Sequence, residues 1–368
     1  MAATADAQAA ALLTWYQHAQ RELPWRQAPT PYAVLVSELM LQQTRVETVR
    51  AYFVRWMARW PTIADLASAT EAEVLAMWTG LGYYHRARNL HAAAQAVGRA
   101  YGGHIPSDAA ALGRLPGLGP YTVGAVRSIA FGEPAPLVDG NVARVLARWS
   151  AWRGDPQQAR GRAALWAMAE AWLELPAPRA TPGAWNQALM ELGATLCTPR
   201  SPQCSRCPVA DDCLAQRTGT VAAIPPPRQK PQPVLVQAAY AVICTDPALA
   251  SGVADPVPAV LLGRRPLAGR WPGLWEPPGV EGPDCLLVLR QHLLAAGLTP
   301  GEPLGPIVHL LTHRRYEVLA LPVRIAPGDL PRLEALGYAA LRLVPLSATL
   351  DVVGGLSRLA QKLVALAM

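Results

Sequence analysis

Apolar residues recur every three to four positions through residues 1–222 of this 368-residue chain. This spacing puts apolar side chains on one face of a helix, and no alternating strand pattern interrupts it. The first part of the chain is therefore predicted to be all-α. The predicted helices cover residues 6–19, 31–43, 46–60, 85–102, 141–152, 162–174 and 181–195.

The pattern changes after a proline-rich stretch at residues 223–234, which is predicted to be an extended linker. Residues 235–368 have the β-branched and aliphatic runs of strands, with one helical segment between them and another near the end. The segments predicted as strands are 234–244, 259–265 and 307–325, and the helix between them is 285–297. An α+β domain is therefore predicted to follow the helical one.

Composition limits the class of protein. With 51% hydrophobic and 16% charged residues the chain can form buried cores, so global disorder is excluded. The formal net charge of +7 permits a polyanionic partner without requiring one. Only Lys230 and Lys362 are lysines among the 33 basic residues, so residues 1–222 contain no lysine.

The sequence also bears on location. Asp6 interrupts the apolar start of the chain, and no run of 18 uncharged apolar residues occurs, so neither a secretory signal nor a membrane span is expected. Four of the six cysteines fall between Cys197 and Cys213. Such clustering is typical of a metal or cluster site in a reducing cytosol rather than of a disulfide framework. A cytoplasmic protein is expected.

The clustered cysteines have the spacing Cys197-x6-Cys204-x2-Cys207-x5-Cys213. Four thiolates in one short loop can enclose a metal centre, and tetrahedral zinc is one possibility. The spacing resembles the cluster loop of the endonuclease III superfamily, which holds a 4Fe–4S cluster. The resemblance implies a 4Fe–4S cofactor in residues 197–213.

A second motif, LPGLGPYTVGA at residues 115–125, places Gly117 and Gly119 in a tight turn between helical segments. Such a turn can direct backbone N–H groups at a phosphate, with the positive end of the next helix behind it. An ordinary interhelical turn also explains the two glycines. Together with VDGNVARVLAR (138–148) and the cysteine loop, the string resembles the helix–hairpin–helix of DNA glycosylases.

Asp139 follows Tyr121 by 18 residues, as the superfamily pattern requires. An aspartate at a helix start is often an N-cap, whereas the resemblance implies a carboxylate that faces the reacting sugar. Bifunctional members have a lysine at the position of Tyr121, where it forms a Schiff base with the sugar. Because residues 1–222 lack lysine, no amine nucleophile is available from this domain.

Glu38 lies among apolar residues in SELMLQQTRVETV (37–49). Burial there would raise the pKa of its carboxyl and keep it protonated, although the ordinary place for a glutamate is a solvated helix face. With LPWR (23–26), LGYYHRARNL (81–90) and NQALMELG (186–193), the string is similar to MutY-type adenine DNA glycosylases. The resemblance extends over nearly all of the helical domain.

The resemblance implies roles for individual residues. Glu38 would be the general acid and Asp139 the second carboxylate, with Tyr121 and Asn141 supporting Asp139 and the sugar. The pocket for an extruded adenine would be formed by Trp25, Arg26, Leu41 and Gln187. The residues that contact DNA would be Gln43, Thr44, Leu81, Tyr83, Gly117 and Gly119; of these, Gln43 and Tyr83 would enter the base stack.

These residue types suit cleavage of an N-glycosidic bond. A neutral Glu38 could protonate a ring nitrogen of adenine, and an ionised Asp139 could stabilise the oxocarbenium-like sugar. The base must first leave the duplex, so side chains that enter the stack are needed. The resemblance implies a monofunctional base-excision-repair enzyme that acts as a monomer near a bacterial nucleoid. Its partner would be double-stranded DNA with adenine opposite 8-oxoguanine or guanine.

The second domain resembles a Nudix fold in LLGRRPLAGRWPGLWEPPG, residues 261–279. A Nudix hydrolase would next need a box of carboxylates that binds a hard cation. When the box is aligned, its carboxylate positions hold Cys285, Gln291, Leu294 and Ala295. Hydrolysis of nucleoside diphosphates is therefore not expected, and the implied fold is Nudix-like but non-hydrolytic.

MutY-type proteins use such a domain to inspect 8-oxoguanine. The family's recognition loop commonly reads Phe-Ser-His, and the matching string here is Leu311-Thr312-His313. The hydroxyl and the imidazole are kept and the aromatic ring is not. The resemblance implies that Thr312 and His313 contact the lesion.

Other classes of function stay open at this point. A bifunctional glycosylase and lyase for other damaged bases could use the same scaffold, but the missing lysine disfavours it. A non-catalytic, cluster-bearing DNA-binding protein is disfavoured because both Glu38 and Asp139 are present. A free Nudix hydrolase is the weakest alternative.

Overall fold

The computed structural model describes residues 2–227, 232–249, 257–311, 313–348 and 355–367. The predicted lesion contact Thr312 and part of the predicted linker, residues 228–231, lie outside these ranges. By its contacts the chain divides into a helical unit, residues 1–68 with 89–229, and a sheet unit, residues 69–88 with 230–368. The sheet unit thus includes a short stretch from within the helical part of the sequence.

Before the first strand, the described chain is helical. The helices are α1 (Ala2–Ala19), α2 (Pro24–Gln27), α3 (Pro31–Leu41), α4 (Val46–Arg59), α5 (Ile63–Ser68), α6 (Glu71–Met77), α7 (His85–Tyr101), α8 (Ala109–Gly113), α9 (Pro120–Ala125), α10 (Gly140–Trp149), α11 (Ala159–Leu173), α12 (Pro176–Ala180), α13 (Pro182–Thr195) and α14 (Leu214–Arg217). A π-helical turn, Val126–Ala130, continues α9. The all-α prediction for this part of the chain is confirmed.

Helix α3 is the centre of the helical unit. All its residues from Tyr32 to Met40 are buried, because its sequence is apolar on every side, as expected of a helix enclosed by others. The Thr30 side chain caps its start by accepting a hydrogen bond from the Ala33 N–H at 3.2 Å, and Pro31 lies in the first turn, where no hydrogen bond is lost. The helix therefore carries Glu38 into the interior.

Helices α10 and α13 approach closely at Gly193. A Cβ atom on Gly193 would lie 2.7 Å from the Cβ of Asn141 and 3.0 Å from its carbonyl oxygen. About two turns away along both helices, Trp149, Trp172 and Trp185 pack with ring centroids 4.5 to 6.4 Å apart. The glycine thus sets the distance between α13 and the start of α10.

The predicted helix–hairpin–helix is present as α8, a turn and α9. Gly117 has φ +78°, and a Cβ there would lie 2.5 Å from the Cβ of Asn89. The turn therefore needs glycine at this position both for its backbone conformation and for space. Gly119 has extended backbone before Pro120 and directly precedes α9.

The sheet unit contains one seven-stranded mixed sheet with a helix on each face. The strands are β1 (Val234–Thr245), β2 (Ala259–Arg264), β3 (Trp275–Glu276), β4 (Gly279–Glu281), β5 (Leu304–Leu310), β6 (Arg314–Ile325) and β7 (Ala340–Pro345). The path is β3-β2-β1-β6-β5, with β4 paired to β1 and β7 to β2. The β1–β6 pair is parallel and the other pairs are antiparallel.

Strand β1 shows why two helices are needed. Its residues from Ala238 to Thr245 are all buried, so both faces must be covered. Tyr240 and Val242 pack in the cluster that includes α16 (Arg358–Val364), whereas Ala241 and Ile243 pack in the cluster that includes α15 (Cys285–Ala295). The α+β prediction for this part of the chain is confirmed.

The long predicted segments agree with the structure within a few residues at each end, and the short elements were missed. The predicted β-rich run at 307–325 belongs to two antiparallel strands, β5 and β6. The one-turn helix α2 and the two- to three-residue strands β3 and β4 lack a full period of any pattern. Among the described residues, no helix has the length and apolar composition that crossing a membrane requires.

The Gly193 contact yields a stability prediction. Gly193→Ala should lower the free energy of unfolding by about 1–3 kcal/mol, because the methyl group would push against the Asn141 backbone. The matched control is Gly98→Ala on the exposed face of α7, where no atom lies within 4 Å and alanine should stabilise the helix by about 0.5–1 kcal/mol. Thermal unfolding of both variants checks this, and equal shifts would contradict the close approach.

Candidate active site

A cavity of about 780 Å³ opens in the helical unit. Its walls come from the segment that contains α2, from α3 and the residues after it, from α9, from the start of α10 and from α13. Twelve predicted site residues line this cavity: Trp25, Arg26, Glu38, Leu41, Gln43, Thr44, Gly117, Gly119, Tyr121, Asp139, Asn141 and Gln187. The fold thus gathers positions that are up to 162 residues apart in the sequence.

Glu38 is buried in the cavity wall, and its pKa is raised to about 7. Loss of hydration is the largest cause, and the negative charge of Asp139 acts in the same direction. The Tyr121 hydroxyl, which donates a 2.6 Å hydrogen bond to Glu38 Oε2, and the charge of Arg26 act in the opposite direction. A carboxyl with this pKa can give up a proton near neutral pH.

Asp139 is both a helix cap and a wall of the cavity. Its Oδ1 accepts hydrogen bonds from the N–H groups of Asn141 and Val142 at 2.9 and 2.7 Å, and its Oδ2 accepts one from the Asn141 side chain at 3.1 Å. Burial raises the pKa of Asp139, and these donors, with the Arg144 guanidinium, act to lower it. The two functions suggested for this residue by the sequence are therefore compatible.

Tyr121 contacts a different carboxylate from the one the resemblance implied. Its hydroxyl donates to Glu38 at 2.6 Å, and the hydroxyl oxygen lies 3.3 Å from the sulfur of Met190. Burial raises the pKa of Tyr121 well above its ordinary value, and the charges of Glu38 and Asp139 add to this shift. The hydroxyl therefore keeps its proton and remains a donor to Glu38.

Another part of the cavity lining is less polar. Trp25 is buried and packs edge-on against Phe53, with ring centroids 5.5 Å apart. The Gln187 amide nitrogen donates to the carbonyl oxygen of Gly183 at 3.2 Å. With Leu41, these residues form a largely apolar surface that carries one fixed amide.

Two residues predicted to enter the DNA stack have left-handed backbone. Gln43 has φ +57° and Tyr83 has φ +49°, and both side chains are exposed. Such angles are rare outside glycine and often mark functional turns. In the sheet unit, buried Arg86 donates to the carbonyl oxygens of Leu81 and Gly82 and so supports the turn before Tyr83.

The structure adds cavity residues that the sequence analysis did not select. Glu191, Met190 and Arg21 line the cavity, and Glu191 is fully buried. The sequence could have predicted two of them, because Met190 and Glu191 follow Gln187 by three and four positions on α13. These spacings place all three residues on one helix face.

The four clustered cysteines line a single cavity. Buried Arg148 supports the loop by donating to the carbonyl oxygens of Thr198 and Ile224, both at 2.8 Å, and to the Cys197 sulfur at 3.4 Å. Burial raises the pKa of Cys207 to about 11, so a Cys207 thiolate would need a cation to be stable here. This donor set fits a thiolate-ligated centre, which would hold the loop in place.

Of the string predicted to read the lesion, Leu311 and His313 are described and lie between β5 and β6 of the sheet unit. His313 is exposed, and Leu311 packs against the apolar cluster on one face of the sheet. Thr312 is outside the described residues. Helix α15, where a Nudix enzyme would need its acidic ligands, contains no Asp or Glu.

Two family models match this chain. The model for HhH-GPD superfamily base excision DNA repair proteins matches residues 36–170, which include Glu38, Tyr121 and Asp139. The model for the iron-sulfur binding domain of endonuclease III matches residues 197–213. The predicted iron–sulfur cofactor is thereby confirmed, and the matched segment contains Cys197, Cys204, Cys207 and Cys213, its predicted ligands.

Relatives that match most of the chain extend the similarity beyond these two segments. An adenine DNA glycosylase of Rattus norvegicus is 38% identical over 366 residues, which cover 84% of this chain and 69% of the rat protein. One of Mus musculus is 37% identical and covers 86% and 71%. A solved thermostable thymine-DNA glycosylase is 29% identical with a TM-score of 0.51, covering 57% of this chain and 95% of that chain.

The double role of Asp139 generates a stability prediction. Asp139→Asn should leave the thermal unfolding midpoint nearly unchanged, because asparagine caps helices as well as aspartate does. Asp139→Ala should lower the free energy of unfolding by about 0.5–2 kcal/mol, because two N–H groups at the start of α10 would lose their acceptor. Equal destabilisation by both variants would mean that the charge of Asp139, not its capping, holds the fold.

Proposed function

Because the chain belongs to the adenine DNA glycosylase family, we propose that it hydrolyses the N-glycosidic bond of adenine opposite 8-oxoguanine or guanine in duplex DNA. The enzyme is a monofunctional DNA glycosylase of base-excision repair, and its product is an abasic site. The observation that carries the proposal is the pair of carboxyl groups, Glu38 and Asp139, in one cavity with different surroundings. Such a pair can divide acid and charge-stabilising work between its members.

Glu38 is suited to protonate the departing base. Adenine leaves a deoxyribose with difficulty unless a ring nitrogen is protonated, which reduces the negative charge on the leaving group. A carboxyl with a pKa of about 7 is half protonated at neutral pH and transfers its proton readily. The Tyr121 hydroxyl fixes its orientation and stabilises the carboxylate that remains.

Asp139 is suited to stabilise the sugar. Loss of the base leaves an oxocarbenium-like ring, which a nearby carboxylate stabilises by charge or by a transient bond. Backbone N–H groups of α10 and the Asn141 amide hold the Asp139 oxygens in one orientation. Water then completes the hydrolysis.

A lyase reaction is disfavoured by the same cavity. It would need an amine nucleophile, and the position used for lysine in bifunctional enzymes is Tyr121. Residues 1–222 contain no lysine. Strand cleavage after base release is therefore not part of the proposed activity.

Entry to the cavity requires that adenine leaves the duplex. We propose that the exposed side chains of Gln43 and Tyr83 fill the space in the stack, and that Thr44 and the hairpin glycines contact the DNA backbone. Leu81, which was also predicted to contact DNA, is buried, and its N–H and carbonyl groups are hydrogen-bonded to Trp78 and Arg86, so it is better explained as a packing residue of this turn. The left-handed backbone of both residues supports this role, because such conformations often mark functional turns. Extrusion costs a few kcal/mol, which such contacts can offset.

We further propose that Thr312 and His313 inspect the base opposite adenine, and that residues 235–368 form a Nudix-like reader joined through the linker 223–234. 8-Oxoguanine presents an N–H donor at N7 where guanine has an acceptor, so a hydroxyl oxygen can distinguish them. We also propose that the protein acts as a monomer. We propose that the protein is located in the cytoplasm of a bacterium, associated with the nucleoid.

Glu38→Gln should bind mispaired DNA and release adenine about 10²–10⁴-fold more slowly, because glutamine keeps the shape and has no acidic proton. For the unchanged chain, the single-turnover rate should fall as pH rises through about 7, where Glu38 loses its proton. Asp139→Asn should also lose activity while remaining folded. Normal adenine release by Glu38→Gln would exclude Glu38 as the acid.

Thr312→Val should reduce the preference for 8-oxoguanine over guanine opposite adenine by about 1–3 kcal/mol, because it removes one hydroxyl contact. The rate on an adenine–guanine mispair should stay the same. The control is Thr299→Val, an exposed threonine of the same unit. Comparison of single-turnover rates on the two duplexes measures the effect, and an unchanged ratio would remove Thr312 from lesion recognition.

A further inference from the structure

Glu191 joins two arginines beneath the cavity. Its side chain is fully buried on α13, one turn after Gln187, and its Oε1 accepts from Arg21 Nε at 2.6 Å. Its Oε2 accepts from Arg26 Nη2 at 2.8 Å and from Arg21 Nη2 at 3.2 Å. One carboxylate thus binds two guanidinium groups from the segment around α2.

The Arg26 guanidinium is held on several sides. Besides Glu191, it donates from Nη1 to the carbonyl oxygen of Arg21 at 3.1 Å, and its Cζ lies 5.5 Å from the centre of the Tyr16 ring. Its side chain is only 14% exposed. These contacts hold the cation in the cavity wall, where water screens it weakly.

The positive charge of Arg26 opposes the role proposed for Glu38, because a general acid must be protonated. The groups that face Glu38 are Tyr121 from α9, Asp139 from the start of α10 and Arg26 from α2. Asp139 favours the protonated form of Glu38, whereas Arg26 favours the ionised form. A free Arg26 guanidinium could pair with Glu38 and take the proton out of use.

Glu191 is placed to prevent this. Burial alone would raise its pKa, but the hydrogen bonds and charges of Arg21 and Arg26 lower it, so Glu191 is an anion at neutral pH. It offsets the Arg26 charge and holds the guanidinium in place. A simple anchor for the one-turn helix α2, which has no side-chain cap, would explain the contact without any effect on Glu38.

We propose that Glu191 is a positioning residue that holds the Arg26 guanidinium away from Glu38 and thereby keeps the general acid protonated. The inference rests on the proposed function, because it assigns Glu191 a task in that reaction. Glu191 lines the cavity, but the proposed reaction assigns it no contact with the base or the sugar. Its effect should therefore appear in the pH dependence of the rate rather than in DNA affinity.

The test is the single-turnover rate of adenine release against pH for Glu191→Gln in the full chain. The midpoint of the alkaline decline should move to lower pH, and above it the rate should fall about tenfold for each pH unit by which the midpoint moves. At acidic pH the rate should approach that of the unchanged chain, and DNA affinity should stay the same. Glu22→Gln, an exposed neighbour of Arg21, is the control with the same charge change.

A second variant covers the case in which Glu191→Gln does not fold. Arg26→Gln alone should move the midpoint to higher pH, and adding it to Glu191→Gln should reverse the acid shift. Uniformly slower release with an unchanged midpoint in Glu191→Gln, or an unchanged midpoint in Arg26→Gln, would overturn the proposal and leave Glu191 as an anchor for α2. Absence of adenine release by the unchanged chain at every pH would instead overturn the proposed function.

Discussion

The burial of Glu38 is the constraint on which the site depends. A carboxyl at the surface would be ionised at neutral pH and useless as an acid, whereas the same group inside α3 has a pKa of about 7. Burial alone would leave its oxygens without partners, and the Tyr121 hydroxyl supplies the needed donor. The other helices of this unit provide that burial, because they cover α3 on all its sides.

Asp139 shows how one residue meets a structural and a chemical demand together. Its Oδ1 satisfies two N–H groups that every helix start leaves unpaired, and these same groups orient the carboxylate. The close contact at Gly193 then fixes the start of α10 relative to α13, which carries Gln187 and Glu191. The two walls of the cavity are therefore positioned by backbone packing rather than by flexible side chains.

The sheet unit depends on a different constraint. Strand β1 is buried on both faces, so the sheet needs α15 and α16, while the exposed His313, proposed to read DNA, directly precedes β6. Helix α15 packs on the sheet through Cys285, Leu289 and Leu293, and it contains no acidic residue. A scaffold of this kind can present a recognition loop without metal ligands of its own.

Sequence by itself determined the long helices, the two longest strands, the cysteine loop and the family, because each is recorded in local periodicity or in a short spaced motif. It also identified twelve residues of the cavity, since strings such as SELMLQQ and VDGNVAR carry them. It could not give the partner of Tyr121, the double contact of Asp139 or the ion pairs of Glu191. Arg21 and Glu191 are 170 residues apart and meet only when α13 packs against the segment around α2. Such contacts, and the pKa shifts that follow from them, depend on distance and burial in three dimensions, and only the tertiary structure decides these.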